Sequence, residues 1–291
     1  MKKLSYYYIT DERNTLTLPL NSENCFMIGK PSFCFHIHNH SALEIIVVKK
    51  GPLFFKTDEH EYIAKSGDVL LFNPFVPHQC EWLYEDIGEY IYLTINLEGL
   101  LNFNNSAISV NYRELQEGSA GFKEYYMQSE PLTSEIAKIV EIINHSYSEK
   151  TVPSELKTLS EVYKLLSVLN ENFFELYPNK NNYNRNISFL RNITLFLSEN
   201  YMKDISTCDA ARYINLSQPQ FCRVFRNHFG CNFMKHLCQY RVIQAANLFK
   251  NSELSVTDIA LEVGFSDYCY FSRSFKKYIG LSPAKYFGKW K

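Results

Sequence analysis

Four side chains in the first third of the sequence combine into a set that can do chemistry. His38, His40 and Glu44 stand at even spacings, so along one unbroken strand, where side chains alternate between faces, all three project to the same side. His78 adds a third imidazole, and three ring nitrogens with one carboxylate oxygen are a sensible donor set for one divalent metal ion. The same polar groups, flanked by Trp82 and Tyr92, also suit a small polar organic ligand such as a sugar, whose apolar face stacks on aromatic rings. The histidines can equally be satisfied polar core, and each aromatic plain core.

A second group is basic. From residue 183 onward 15 Lys and Arg stand against 7 Asp and Glu, a net +8, while residues 1–182 carry a net −9; the overall charge of −1 conceals this asymmetry. A basic half gains affinity for phosphates through counterion release, and an acidic half is repelled from them and free for another task.

The elements that must position these groups change character along the chain. Residues 33 to 97 read as short strands rich in aromatic and β-branched residues: Phe33–His38, Glu44–Val48, Leu53–Thr57, Glu61–Ala64, Asp68–Phe72, His78–Trp82 and Glu89–Leu97. In the last, Ile91, Leu93, Ile95 and Leu97 alternate with Tyr90, Tyr92, Thr94 and Asn96, which predicts a half-buried strand in a barrel or sandwich. After Pro131 the period becomes helical, with Ile136, Ile139, Val140 and Ile143 on one face. A second helix follows Pro153, and its Leu159, Val162, Leu166, Leu169 and Phe173 form a seam that packs either on its own barrel or on the same helix of a second subunit. Pro178–Asn186 contains five Asn and little that packs, and is read as a linker.

From Ile187 the pattern is helical and repeats. Ala210, Ala211, Ile214, Asn215, Leu216 and Ser217 recur as Ile259, Ala260, Val263, Gly264, Phe265 and Ser266; Phe221, Arg223, Phe225 and Gly230 recur as Phe271, Arg273, Phe275 and Gly280. In the second copy Ser255 and Asp258 fit a capping box, Gly264 fits the left-handed residue that ends a helix, and Asp267 can cap the next. Asn215 occupies the glycine position in the first copy, and Pro219 sits in a first helical turn, where a missing N–H costs little. Each copy is thus a helix-turn-helix whose second helix keeps its phenylalanines inward and a basic face outward, suited to the major groove. A connecting helix over Phe233–Phe249 can set the two reading helices about one DNA turn, roughly 34 Å, apart.

The run Gly264-Phe265-Ser266-Asp267-Tyr268-Cys269-Tyr270-Phe271-Ser272-Arg273-Ser274-Phe275-Lys276-Lys277-Tyr278-Ile279-Gly280-Leu281-Ser282-Pro283 strongly resembles the AraC/XylS-type transcription regulators, over about residues 187–288. The resemblance implies reading helices at Gln218–Phe229 and Asp267–Tyr278. It implies base readers at Gln218, Pro219, Cys222 and Arg223 in the first, and at Tyr268, Cys269, Ser272 and Arg273 in the second; Arg226 and Lys276 complete the expected DNA contacts. An ion pair from Arg223 to a carboxylate such as Asp209 is the alternative to a DNA contact, and Arg273 has the same kind of alternative. His38, His40, Glu44 and Gly51 fit His-x-His-x3-Glu-x6-Gly, which resembles the first cupin motif; Gly67–His78 resembles the second, with Asn73 and Phe75 where Pro and Gly are common.

The expected architecture is α+β in two domains. A cupin-like, ligand-sensing β-barrel over 1–130 carries a helical dimerisation segment over 131–177, and a linker over 178–186 leads to an all-α double helix-turn-helix over 187–291. The expected ligand residues are His38, His40, Glu44, His78, Trp82 and Tyr92, with a metal held by the first four as the alternative. The expected partners are promoter DNA, a small-molecule effector, RNA polymerase and a second copy of the chain, with activation the sign the resemblance suggests. No enzymatic role, cofactor or membrane association is expected. The eight cysteines show no CxxC pair and no zinc-finger spacing, and read as reduced, mostly buried thiols of a cytoplasmic protein.

Overall fold

The computed structural model describes residues 20–28, 32–57, 59–82, 87–100, 107–149, 151–176, 181–251 and 254–288. Strands come first: β1 (Leu20–Ile28), β2 (Ser32–His38), β3 (Leu43–Lys50), β4 (Leu53–Thr57), β5 (Glu61–Ala64), β6 (Val69–Phe72), β7 (His78–Trp82) and β8 (Ile87–Ile95). Next are α1 (Leu97–Leu100), α2 (Ala107–Glu117), β9 (Ala120–Phe122), β10 (Tyr125–Tyr126), α3 (Thr133–Glu149), α4 (Val152–Phe173) and β11 (Phe174–Leu176). Helices complete the chain: α5 (Asn181–Asn200), α6 (Thr207–Tyr213), α7 (Gln218–Phe229), α8 (Phe233–Asn251), α9 (Val256–Glu262), α10 (Tyr268–Ile279) and α11 (Pro283–Phe287). The described residues divide into two compact units, parting between Arg191 and Asn192 inside α5. The expected α+β, two-domain class is the observed one.

The first unit is built on two antiparallel sheets, in the orders β1-β8-β3-β6-β10 and β2-β7-β4-β5. The register places Leu43, Ile45 and Val47 of β3 beside Ile95, Leu93 and Ile91 of β8, and this face packs on Ile136, Ile139, Val140 and Ile143 of α3 and Val162, Leu165 and Leu169 of α4. The opposite face carries Glu44, Ile46 and Val48 beside Thr94, Tyr92 and Tyr90, and it is buried as well. The half-buried reading of β8 is therefore corrected: one face is covered by helices and the other by the second sheet. Alternation along a strand shows two faces but not what covers each of them. Of the two packings open to the 159–173 seam, the structure adopts the intrachain one. Val162, Leu166 and Leu169 are buried in this core, and Phe173 packs edge-on to Tyr126 with ring centroids 4.8 Å apart.

Three further differences from the sequence reading stand out. Strand β1 and helix α2 lie in stretches where periodicity suggested neither. Helix α5 begins at Asn181, inside the segment read as linker; residues 178–180 lie outside the described residues. Asn costs a helix only a few tenths of a kcal/mol per residue, and burial of Ile187, Leu190, Ile193 and Leu197 outweighs it. The thiols are not mostly buried: Cys80 and Cys238 are, whereas Cys208, Cys222 and Cys269 are exposed, the last two because they sit on the outer faces of α7 and α10. The side chains of Cys25 and Cys34 lie outside the described residues. Among the described helices none is long and apolar enough to cross a membrane.

Candidate functional site

The expected ligand residues come together, though not along one strand. His38 ends β2, His40 lies in the bend between strands, Glu44 is near the start of β3 and His78 opens β7. The strand does not run unbroken through these residues: as the separate strands read at Phe33–His38 and Glu44–Val48 imply, the chain leaves one sheet after His38 and enters the other at Leu43, so the groups converge across the two sheets. His38 and His78 are cross-strand partners, and Phe72, the β6 partner of Glu44, lies flat on the His78 ring at 4.2 Å and 6°. One ligand atom from each of His38, His40, Glu44 and His78 lies within 4.8 Å of the others.

The bend is tied down by its neighbour. Phe75 adopts φ +67°, a left-handed conformation costing a non-glycine residue about 1–2 kcal/mol. Two hydrogen bonds hold it there: the Phe75 N–H donates to the His40 carbonyl (2.8 Å), and Asn39 Nδ2 donates to the Phe75 carbonyl (3.3 Å). This position, where the second cupin motif commonly has Gly, therefore clamps the loop bearing His40 to the loop leading to His78.

Inside the cluster Glu44 Oε2 lies 2.7 Å from His40 Nε2 and 3.3 Å from His78 Nε2. His40 Nδ1 faces the Ala42 carbonyl at 3.1 Å, and His78 Nδ1 the Val76 carbonyl at 2.9 Å. A carbonyl oxygen only accepts, so each Nδ1 carries a proton and each Nε2 is directed at the carboxylate. Burial on its own pushes the Glu44 carboxyl up; hydrogen bonds and charge from His40 and His78 together outweigh it and hold the group well below the usual carboxylate range. Glu44 Oε1 is buried with no hydrogen-bond partner among the described residues.

Tyr92 lies on the same sheet face as Glu44, and Trp82 on the same strand face as His78. Both are fully buried, and one face of the Trp82 ring lies against the backbone at Gly88, where an added Cβ would come within 2.8 Å of it. Phe72, Thr94 and Thr57 also belong to this interior, as partners of Glu44 and His78. Sequence reasoning missed them because only strand register reveals them.

In the second unit the two repeats fold alike. The Ser206 and Ser255 side chains cap α6 and α9 by accepting from Asp209 N and Asp258 N, and Asp267 caps α10 by accepting from Tyr270 N. The turns use left-handed residues at equivalent places, Asn215 (φ +57°) and Gly264 (φ +89°); Gly230 and Gly280 end the reading helices in the same conformation. Phe221 and Phe225 of α7 pack on Phe233 at the start of α8, and Phe275 of α10 packs on Phe249 near its end. Phe233 and Phe249 are sixteen residues apart, about 24 Å along an α-helix, so one rigid rod seats both readers.

This packing turns the expected DNA contacts outward. Gln218, Pro219, Cys222, Arg223 and Arg226 of α7 and Tyr268, Cys269, Arg273 and Lys276 of α10 are exposed, and Ser272 is partly so. Asp209 is engaged by Ser206 and by Arg212 at 3.2 Å. Among the described residues neither Arg223 nor Arg273 forms an ion pair. A residue the sequence reading passed over is Arg241 of α8: its guanidinium donates to the carbonyls of Tyr201 and Lys203, each at 2.7 Å, and so holds the end of α5 against the connector.

Comparison with known proteins agrees with this division. Residues 28–166 match the family described as "AraC-like ligand binding domain", and residues 210–289 match a "Helix-turn-helix domain" family. The Msm operon regulatory protein of Streptococcus mutans is 26% identical over 257 residues, covering 88% of this chain and 86% of that protein. The lactose operon transcription activator of Staphylococcus xylosus is 21% identical over 264 residues, covering 89% and 88%. Among solved structures, ToxT from Vibrio cholerae with bound unsaturated fatty acid has the same fold, with a TM-score of 0.59 at 13% identity over 95% of this chain and 96% of that one. With a paired-sheet unit matching an AraC-like ligand-binding domain and a duplicated helix-turn-helix matching the second family, the chain belongs to the AraC/XylS family of transcription regulators.

Proposed function

We propose that this regulator acts in the cytoplasm as an activator, binding promoter DNA through both reading helices and answering to a small polar molecule held in the first unit. In this reading Arg223 and Arg273, with Gln218, Pro219, Cys222, Tyr268, Cys269 and Ser272, meet base edges, while Arg226 and Lys276 meet phosphates. The observation that carries it is the matched exposure of Arg223 and Arg273 on two equivalently capped helices seated on one connector. Seats about 24 Å apart along one helix suit readers that enter successive major grooves about 34 Å apart in this reading.

A carbohydrate is the effector class of choice, because the S. xylosus relative is named for a lactose operon. It would be held by His38, His40, Glu44, His78, Trp82 and Tyr92, sensing rather than catalysing. Two copies associate, in this reading, through α4, which exposes Val152 (71%), Leu156 (64%) and Tyr163 (41%) at spacings of four and seven residues, one and two helical turns; contact with RNA polymerase completes activation. The test is a screen of sugars against thermal unfolding of the full chain, followed by promoter binding with and without each hit. A sugar that raises the melting temperature and changes promoter affinity supports the reading. DNA binding that survives Arg223→Ala/Arg273→Ala unchanged overturns it.

A further inference from the structure

We propose that Cys208 is a positioning residue for base recognition: from α6 its thiol holds the Gln218 amide so that α7 offers two N–H donors, which select guanine over adenine at the base Gln218 meets. This builds on Gln218 as a base contact, as proposed above, and adds which base it prefers. Cysteine is among the residue types most often buried, yet Cys208 is exposed, in the first turn of α6. Unlike Cys222 and Cys269 it stands on neither reading helix. What it touches is the first residue of one of them: the Cys208 thiol donates to Gln218 Oε1 at 3.1 Å. That bond joins the two helices of the first unit where the reader begins.

The other residues that open α7 are otherwise occupied. Pro219 and Phe221 have no hydrogen-bonding side chain, and Phe221 is buried. Gln220 folds back over the helix start, where its Oε1 accepts from the Ser217 N–H at 3.2 Å and from the Ser217 hydroxyl at 2.8 Å. Gln218 is left as the amide of the first turn that can reach a base, and Cys208 sets which way it is turned.

Orientation decides what such an amide can read. The last torsion of a glutamine has a broad, nearly two-fold profile, so an unrestrained side chain can show a donor, an acceptor or both. Adenine presents an acceptor at N7 and a donor at N6 in the major groove, and the bidentate glutamine contact to it needs Oε1 and Nε2 turned to the base together. Guanine presents acceptors alone, at N7 and O6. With Oε1 turned back to the thiol, the group left for the base is the NH2 with its two donors, which matches guanine and meets the adenine amino group donor against donor. The thiol also removes, before DNA arrives, rotational freedom that binding would otherwise have to remove. The second unit has Thr257 where the first has Cys208, and α10 opens with Tyr268, which has no amide to orient. The pairing therefore serves the first head, in which Pro219 offers no side-chain donor and Cys222 a weak one.

The experiment is selection from a library of random-sequence DNA duplexes by the full chain, with the bound fraction sequenced for the wild type, Gln218→Ala, Cys208→Ala and Cys208→Ser, and the melting temperature of each protein measured alongside. The wild type should enrich guanine at a position where Gln218→Ala loses its preference. Cys208→Ala should keep its melting temperature and its preference elsewhere, while adenine relative to guanine rises roughly fivefold or more at that one position. Cys208→Ser, which retains a hydroxyl donor, should stay with the wild type; a merely structural role for Cys208 would weaken all sequences alike. Unchanged guanine preference in Cys208→Ala, or adenine at the Gln218 position in the wild type, overturns the proposal. Gln218→Ala that alters no position also overturns it, while leaving the regulator intact, whereas a wild-type chain that enriches no sequence removes the regulator reading and this one together.

Discussion

Gly264 separates the two helices of the second reading head, and replacing it with Ala tests whether that turn is built as described. Its φ of +89° lies where an L side chain is strained, which costs about 1–2 kcal/mol. The added Cβ would stand 2.8 Å from the Met202 carbonyl oxygen and 2.9 Å from that of Tyr201, whereas ordinary contact begins near 3.4 Å. Backbone must therefore move by about half an ångström. The Tyr201 carbonyl cannot yield freely, because it accepts from Arg241 Nε at 2.7 Å, and the Arg241 guanidinium carbon itself would lie 3.0 Å from the new methyl. Losing that charge-assisted hydrogen bond costs about 1.5–3 kcal/mol, for a total of about 3–5 kcal/mol. Gly230 is the control: its φ is +62°, but nothing lies within 4 Å of the added Cβ, so Gly230→Ala should cost only about 1 kcal/mol. Urea unfolding of the full chain, followed by circular dichroism, should show the lower midpoint for Gly264→Ala, and fluorescence anisotropy should show weakened promoter binding as α10 is displaced. Equal midpoints for the two variants would refute the reasoning.

Arg273→Ala should lose about 1–3 kcal/mol at one base position and flatten preference there, whereas Lys276→Ala should weaken all sequences alike and lower the salt slope by about one; binding to a panel of single-base variants at several salt concentrations separates them. His236 is fully buried against Phe225 and Phe229, and desolvation lowers its pKa to about 4. A depressed folded value means the unfolded chain binds the proton more tightly, so this contribution, about 3 kcal/mol at about 1.4 per unit, is complete above about pH 6.5, declines below it and is gone by about pH 4; His236→Leu should flatten the stability profile across that window. Leu169→Ala, deep in the intrachain core, should cost about 2–5 kcal/mol in thermal unfolding. Leu156→Glu should instead weaken self-association in sedimentation while leaving the melting temperature nearly unchanged.

What the sequence determined by itself is mostly local. Caps, left-handed turn residues and phenylalanine spacing act within a few residues of one another, so both helix-turn-helix units could be read and Asn215 recognised as standing in for Gly264, while the limits of α7, Gln218–Phe229, were those the family resemblance implied. The duplication did the same for the outward-facing residues, because an inward pair at Phe221 and Phe225 leaves Arg223 only the outside. The four donors of the sensor unit were legible as a set through their types, but their geometry was not. Even spacing puts His38, His40 and Glu44 on one side only if a single strand runs through all three, while the chain in fact crosses between sheets at residues 39–42, a bend held through Asn39 and His40 by Phe75, which is distant in sequence. Only the tertiary structure decided that both faces of β8 are covered, that the α4 seam turns inward, and that Phe72 lies on His78. Register and layer packing depend on which distant surfaces exclude water from each other, and that free energy is written in no single stretch of the chain.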